Sequence, residues 1–381
     1  MDLDADFDAA LAEHRAGRLD AAEHRYRAIL ARENDLRAMH NLGVLLEATG
    51  RHAEAGEIYR QAVRASPDDA ERQLALATHY RVTRQLPAAE AAYRRLLELR
   101  PGDAHAGEHL GVTLMAMGRY AEGWAALDAR AARMSFPRQA LSFPEWRGEP
   151  LAGKRLFVWR EQGFGDQIMM ARFLKGLGAA EVTYAGPSQL RRLFEALPVT
   201  FIEARPGKME IPRHDYWSLP VSLPKWLGIT EETVPGAPYL SGQAVSAGGR
   251  IGVVWRGQAG NANDRFRSLS ADQAAPLLSL PGAISLDPAD TGAADFQATA
   301  DIIAGLDLVI TGDTAVAHLA GAMGRPVWVL LAAHATDWQW PRQGASAWYP
   351  TARLFVQQTA GDWTPVVDAV RQAALGARPT S

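Results

Sequence analysis

Asp307-Leu-Val-Ile-Thr-Gly-Asp-Thr-Ala-Val-Ala-His318, continued by Leu319-Ala-Gly-Ala-Met-Gly-Arg-Pro-Val-Trp-Val-Leu330, decides how the carboxyl-terminal part of this chain folds. An apolar strand at Leu308–Ile310 ends in the polar turn Thr311-Gly312-Asp313-Thr314. An alanine-rich helix follows, closes at Gly324, and leads through Pro326 into a second apolar strand at Val327–Leu330. The result is a β-α-β unit with hydrogen-bonding side chains at the carboxyl end of its first strand. Open α/β sheets bind ligands in the crevice at those ends, where a helix N-terminus offers free N–H groups and a favourable dipole to anions. The turn reads as a seat for a phosphorylated ligand.

The same alternation continues outward. Strands are expected near 155–159, 181–184, 200–202, 216–219, 251–255, 283–286, 308–310, 327–330 and 354–356, with helical segments between several of them. Such βαβα order implies a mainly parallel sheet covered on both faces. Gly242-Gln-Ala-Val-Ser-Ala-Gly-Gly249 reads as a hinge between two lobes, 152–241 and 242–381. Ahead of them, Ser135 to Pro150 is punctuated by proline and poor in helical pattern, which predicts a linker over 135–151.

Residues 1–134 repeat themselves. Gly17, Gly50, Arg84 and Gly118 recur at steps of 33, 34 and 34 residues. Tyr26, Tyr59, Tyr93 and Leu127 keep nearly the same steps, as do Ala22, Ala55, Ala89 and Gly123, while Asn34, Pro67 and Pro101 close successive units. Each unit reads as two amphipathic helices around a short turn, with small residues allowing close approach and aromatic ones filling the gap between units. By phase, His40, Asn41, Leu74, Thr78, Arg81, His105, His109 and Val112 lie along the inner helices. Taken singly each reads as a solvated or packing residue; the groove they share is the functional hypothesis.

Composition narrows the chemistry. A net charge of −3 over 381 residues gives no global basic field, so nucleic acid is not an expected partner. The absence of cysteine removes disulfides, thiolate metal sites and cysteine nucleophiles. No apolar run approaches the ~20 residues of a membrane span, and the acidic start lacks the pattern of a secretory signal, so a cytoplasmic location is expected. Asp2, Asp4, Asp6 and Glu13 mimic the spacing of a calcium loop, but Phe7 stands where glycine is needed. The other histidines show no ligand spacing, and no metal site is expected.

Three loops carry candidate chemistry. Glu161-Gln-Gly-Phe-Gly-Asp166 follows the first strand of lobe one; Gln162, Gly163 and Gly165 would form a turn that lets backbone approach a ligand. Asp166 is either a general base in the cleft or the N-cap of the next helix. In lobe two, Asp264-Arg265-Phe-Arg267-Ser268 follows a strand and a glycine-rich loop. Arg265 and Arg267, with Ser268, either hold a diphosphate through their guanidinium forks or bridge to Asp264 or Asp272 on the surface. His318, one helical turn after Thr314, is either a ligand contact or a buried histidine beneath the turn.

These motifs, in this order and together with Trp348-Tyr-Pro350, resemble bacterial tetratricopeptide repeat (TPR) proteins carrying a domain of the heptosyltransferase-like class, glycosyltransferase family nine. Flagellin-modifying glycosyltransferases are similar in layout, and the TPR-bearing O-linked N-acetylglucosamine transferase is so more distantly. The resemblance implies a TPR α-solenoid followed by a compact GT-B-like pair of Rossmann-like α/β lobes. It implies an inverting, metal-independent glycosyltransferase that needs no cofactor and moves a sugar from a nucleotide-sugar to an acceptor hydroxyl. Asp166 would stand where the family places its catalytic base. Arg265, Arg267, Ser268, Asp313, Thr314, Ala315 and His318 would hold the donor. Asp287 stands where relatives of this layout usually show glutamine, and the first lobe is short for a lipid-sugar acceptor. A protein or peptide acceptor, Ser or Thr, recruited by the TPR groove fits that deficit. The alternative is a non-catalytic TPR scaffold with a degenerate GT-B domain.

Overall fold

The computed structural model describes residues 2–133, 141–179, 181–205, 210–245, 250–257, 264–342 and 344–376, with the side chain of Arg265 outside that set. The chain separates into two compact units, Met1–Met134 and Ser135–Ser381.

The first unit is helical: α1 Leu3–Arg15, α2 Leu19–Leu30, α3 Leu36–Ala48, α4 His52–Ala65, α5 Ala70–Val82, α6 Leu86–Leu99, α7 Ala104–Ala116 and α8 Tyr120–Leu127. Each odd-numbered helix starts on an aspartate (Asp2, Asp35, Asp69 and Asp103) whose carboxylate accepts first-turn N–H groups. The carboxylate satisfies donors the helix leaves open and complements its dipole. The acidic start is therefore a helix cap. Paired helices turn at Gly17, Gly50, Arg84 and Gly118, with φ of 74°, 77°, 58° and 77°. That left-handed backbone explains the glycine period; Arg84 adopts it at a cost of about 1–2 kcal/mol. Ala22, Ala55 and Ala89 are fully buried, and Tyr26, Tyr59, Tyr93 and Leu127 fill the core beside them.

In the second unit β1 Arg155–Trp159, β2 Glu181–Gly186, β3 Thr200–Glu203 and β4 Tyr216–Ser218 form a sheet of order β3-β2-β1-β4. β5 Ile251–Val254, β6 Ala283–Ser285, β7 Leu308–Gly312, β8 Val327–Leu331 and β9 Ala352–Val356 form a second, β6-β5-β7-β8-β9. All their pairings are parallel. Around the first sheet lie α9 Phe164–Met170, α10 Arg191–Phe194 and α11 Leu223–Trp226. Around the second lie α12 Asp264–Arg267, α13 Ala271–Leu278, α14 Pro288–Thr291, α15 Phe296–Ala304, α16 Ala315–Ala322 and α17 Thr364–Gly376. The class is the expected one: a helical solenoid followed by parallel-sheet α/β lobes.

The described parts of two expected connectors are packed structure. Within the expected linker, Phe143, Trp146 and Leu151 are buried. Trp146 N donates to Trp217 O at 2.7 Å and Trp217 N to Pro144 O at 2.9 Å, which extends the first sheet beyond β4. Proline excludes helix here but leaves neighbouring amides free to pair with a strand edge; residues 135–140 lie outside the described set. Within the expected hinge, Gln243 N donates to Asp301 Oδ1 at 2.8 Å and Val245 N to Asp301 O at 3.2 Å, docking 243–245 onto α15. Residues 246–249 lie outside the described set.

Lobe-to-lobe contact is extensive. Arg172 is buried where the lobes meet: Nε donates to Met169 O at 3.0 Å, and Nη1 to Pro235 O and Trp348 O, both at 2.9 Å. Its guanidinium also lies over the rings of Tyr239, Trp348 and Tyr349. Carbonyl dipoles and ring faces here substitute for the carboxylate such a buried cation otherwise needs.

Candidate active site in the interlobe cleft

Each sheet reverses its strand order beside its first strand, between β1 and β4 and between β5 and β7. Those switch points are where open α/β sheets leave a crevice. The loops at both open onto one cavity of about 600 Å³, lined by Gly163, Gly165 and Asp166 from lobe one and by Arg267, Asp313 and Thr314 from lobe two, among others. That volume lies within the range of about 300–1,000 Å³ typical of small-molecule sites.

The β1–α9 turn positions Asp166. Gln162 takes a left-handed φ of 59°, is exposed, and is not on the cavity wall. Gly163 is the N-cap of α9, and Asp166, three residues on, turns back so that Oδ2 accepts from Gly163 N at 3.1 Å. The alternative of Asp166 as N-cap is thereby corrected: it closes the first turn from inside. Gly165 is required by packing. A Cβ there would stand 2.8 Å from His318 Cδ2 and 3.5 Å from Ala315 Cα, because the first turns of α9 and α16 touch. Burial, reinforced by the charges of Asp337 and Glu161 and opposed by the Gly163 N–H, pushes the Asp166 carboxyl up to about 7.

On the facing wall Thr314 caps α16: Oγ1 accepts from Val316 N at 3.3 Å and pairs with Thr311 Oγ1 at 2.9 Å. Ala315 and Val316, the first residues of that helix, line the cavity. Asp313 is buried; Oδ1 accepts from Trp340 Nε1 at 2.8 Å, and its carbonyl accepts from Arg267 Nη1 at 2.7 Å. Burial and the neighbouring Asp337 raise its carboxyl well above the usual range, against the pull of Trp340 and Arg267.

His318 is both a buried histidine and a wall residue. Burial, with Arg172 and Arg267 nearby, pushes it down to about 3, so it is neutral at physiological pH. Nδ1 lies 3.0 Å from the Tyr349 hydroxyl and Nε2 lies 3.9 Å from Asp313 Oδ1. A phenol is a stronger acid than a neutral imidazole and an imine nitrogen the better acceptor, so the Tyr349 O–H donates to Nδ1. The guanidinium 4.8 Å from the Tyr349 ring strengthens that polarity. The ring proton then sits on Nε2, a neutral donor toward the cleft.

The remaining expected donor residues divide. Arg267 is on the wall. Ser268 is not: its hydroxyl accepts from Gly257 N at 2.9 Å and donates to Asp264 Oδ1 at 2.8 Å, bracing the loop. The side chain of Arg265 and residues 261–263 lie outside the described set. Sequence reasoning did not single out Asp337, which lines the cavity just beyond β8; its place past a strand's carboxyl end was the available signal. It gave Tyr349 no role. Asp287 caps α14 through Ala289 N and pairs with Arg256 at 2.5 Å on the cavity rim. Arg192 of α10 meets Asp295 of lobe two at 3.1 Å, and Phe164 lies 5.0 Å from Phe296, so the lobes meet around the cavity.

In the repeat unit His40 and Asn41 lie on α3, Leu74, Thr78 and Arg81 on α5, and His105, His109 and Val112 on α7, all partly exposed. Asn41 donates to Arg37 O within its own helix, and His105 and His109 face each other at 3.1 Å. Among the described residues no group of three or more histidine and carboxylate side chains is arranged to hold a metal ion, and no helix is long and apolar enough to cross a membrane.

A tetratricopeptide repeat profile matches residues 7–70 and 74–135, and the profile of glycosyltransferase family 9 (heptosyltransferase) matches residues 291–342. Protein FlbA of Caulobacter vibrioides is 26% identical over 442 residues, an alignment covering 90% of this chain and 73% of that protein. Among solved structures, MamA from Desulfovibrio magneticus matches 36% of this chain and 77% of its own at 21% identity and a TM-score of 0.32. YrrB, described as a TPR protein with an unusual peptide-binding site, matches 34% and 70% at 20% identity and a TM-score of 0.31. The chain carries tetratricopeptide repeats over residues 7–70 and 74–135 and, over residues 291–342, a stretch similar to glycosyltransferase family 9. The family-9 match, which includes Asp313, Thr314, Ala315 and His318, supports glycosyltransferase activity.

Proposed function

We propose that the second unit is an inverting, metal-independent glycosyltransferase with Asp166 as general base, acting on a protein hydroxyl brought to it by the TPR unit. The observation that carries this reading is the sharing of one cavity by Asp166 and the N-terminus of α16. A nucleotide-sugar would place its diphosphate at Ala315 and Val316, whose amides begin α16, with Arg267 and the His318 Nε2–H as further donors. As the bond from the anomeric carbon to the leaving phosphate breaks, charge grows on that phosphate. Arg267 and the helix N-terminus stabilise it without a bound cation. The acceptor oxygen attacks the opposite face of the anomeric carbon while Asp166 takes its proton. Base catalysis of this kind contributes about 10²–10⁴-fold.

A carboxyl near 7 suits that task at neutral pH, being partly ionised and basic enough to accept a proton. The lobe contacts through Arg172, Arg192 and Phe164 hold the two walls of the cavity against each other. Calorimetry with UDP-, GDP-, ADP- and CMP-linked sugars tests the donor site, and mass spectrometry of an acceptor incubated with a bound donor tests transfer. Binding without transfer by any acceptor would leave the chain a nucleotide-responsive TPR scaffold; no binding at all would defeat the donor assignment.

A further inference from the structure

The cavity continues past the phosphate seat. In the second sheet β5 lies beside β7, and β6 lies beyond β5. The wall on that side is made by residues 254–257 at the end of β5, 286–288 after β6, and 293–296 leading into α15. With a diphosphate on α16 and its sugar toward Asp166, the nucleoside of the same ligand has this stretch left to occupy. Leu286, Pro288, Ala293 and Phe296 offer apolar surface to a flat ring there.

The charged side chains of this stretch are Arg256, Asp287 and Asp295. Asp295 is taken up by the fold. It accepts from Ala298 N at 2.9 Å as the cap of α15, and Arg192 of lobe one reaches its two oxygens at 3.2 and 3.1 Å. Asp287 is only partly engaged. Its Oδ1 accepts from Ala289 N at 3.0 Å, and its Oδ2 accepts from Arg256 Nε at 3.0 Å and Nη2 at 2.5 Å. The Ala289 N–H first, and Arg256 second, hold this carboxyl below the usual range, so it is an anion that only accepts. A carboxylate has about four acceptor positions, and three donors leave room for one more. Arg256 Nη1 takes no part in the pair, and the arginine side chain is 60% exposed. The wall therefore presents one free acceptor position beside a free charged donor.

We propose that this pair selects the base of the donor nucleotide, admitting a base with both an amino group and a carbonyl on its pairing edge, which means guanine or cytosine. The amino group donates to Asp287, and the carbonyl accepts from Arg256. Carboxylates accept from the cytosine amino group, and arginine donates to the guanine carbonyl, wherever proteins read base edges. Uracil has no amino group and sets a carbonyl oxygen on each side of its N–H, one of them against the carboxylate. Adenine has the amino group but no carbonyl for Arg256. The proposal rests on the reading of the cavity as a nucleotide-sugar site, and narrows which nucleotides enter it.

Calorimetry on the full chain with GDP, CDP, ADP and UDP tests it, since the four share their ribose and phosphates and differ in the base. GDP or CDP, or both, should bind about tenfold or more tighter than ADP and UDP. Inosine diphosphate, which keeps the guanine carbonyl and lacks the amino group, should bind no better than UDP. Asp287→Asn keeps an oxygen for Ala289 N, so α14 stays capped; it should lose the preference while UDP affinity stays within about threefold. Asp290→Asn, on the same short helix but off the cavity wall, should keep the wild-type ranking. Equal binding of all four, UDP or ADP binding tightest, or an unaltered ranking in Asp287→Asn overturns the base assignment and leaves the transferase reading standing. No binding of any of the four at millimolar concentration overturns both. The predicted ranking without sugar transfer from the matching donors upholds this assignment and removes the catalytic one.

Discussion

Asp166→Asn should make the second unit more stable and less active, with a pH signature that identifies the cause. The Asp166 carboxyl rises from an ordinary 3.8 to about 7 in the fold. Between those values the folded chain keeps a proton that the unfolded chain has lost, so stability falls as pH rises through the window. The interval of about 3 pH units sets a ceiling of about 4 kcal/mol against the ionised form. Solvent entering the open cleft screens the charge, and we expect about 1–2 kcal/mol. Asparagine retains an oxygen to accept from Gly163 N but carries no charge beside Asp337 and Glu161. The variant should match the wild type below pH 4 and exceed it by the full amount above pH 7. Urea unfolding followed by tryptophan fluorescence reads this directly, because ten of the eleven tryptophans lie in the second unit. Nucleotide affinity should stay within a few-fold while turnover disappears. Equal stability at pH 8, or a variant that still turns over, would refute the reasoning.

Three further substitutions test neighbouring parts of the cleft. Gly165→Ala, ordinarily favourable in a helix, should here cost roughly 1–3 kcal/mol because the new methyl meets the His318 ring; a more stable variant in urea would show that the α9–α16 contact yields. Tyr349→Phe removes one buried hydroxyl and should cost about 1–2 kcal/mol. In ¹⁵N NMR spectra it should convert His318 from the Nε2–H form to a tautomer mixture, and an unaltered spectrum contradicts the hydrogen-bond direction assigned to that pair. Arg267→Gln removes a charged donor from the diphosphate seat and should weaken nucleoside diphosphate binding by about tenfold or more; calorimetry showing unchanged affinity would remove Arg267 from the donor site.

What could be read in the chain before any coordinates were local patterns: the left-handed turn glycines, the buried alanines and tyrosines one repeat apart, and the β-α-β pattern ending at Thr311-Gly312-Asp313-Thr314. Each depends on backbone conformation and side-chain size within a few residues, and among the described residues the strands and the paired helices emerge where those patterns place them. Function-bearing distances are another matter. That Asp166 folds back onto Gly163, that Gly165 must be small to clear His318, and that Ser268 braces a loop away from the cavity all depend on contacts set by packing. The proline-punctuated stretch before Arg155 looked like a linker because proline excludes helix, yet its apolar residues found a sheet edge only the assembled lobe provides. Ionisation was the least legible property. A carboxyl near 7 and a histidine near 3 arise from burial and from charges distant in sequence, including Asp337 and Arg172, and a sum over neighbours exists only once the chain has brought them together.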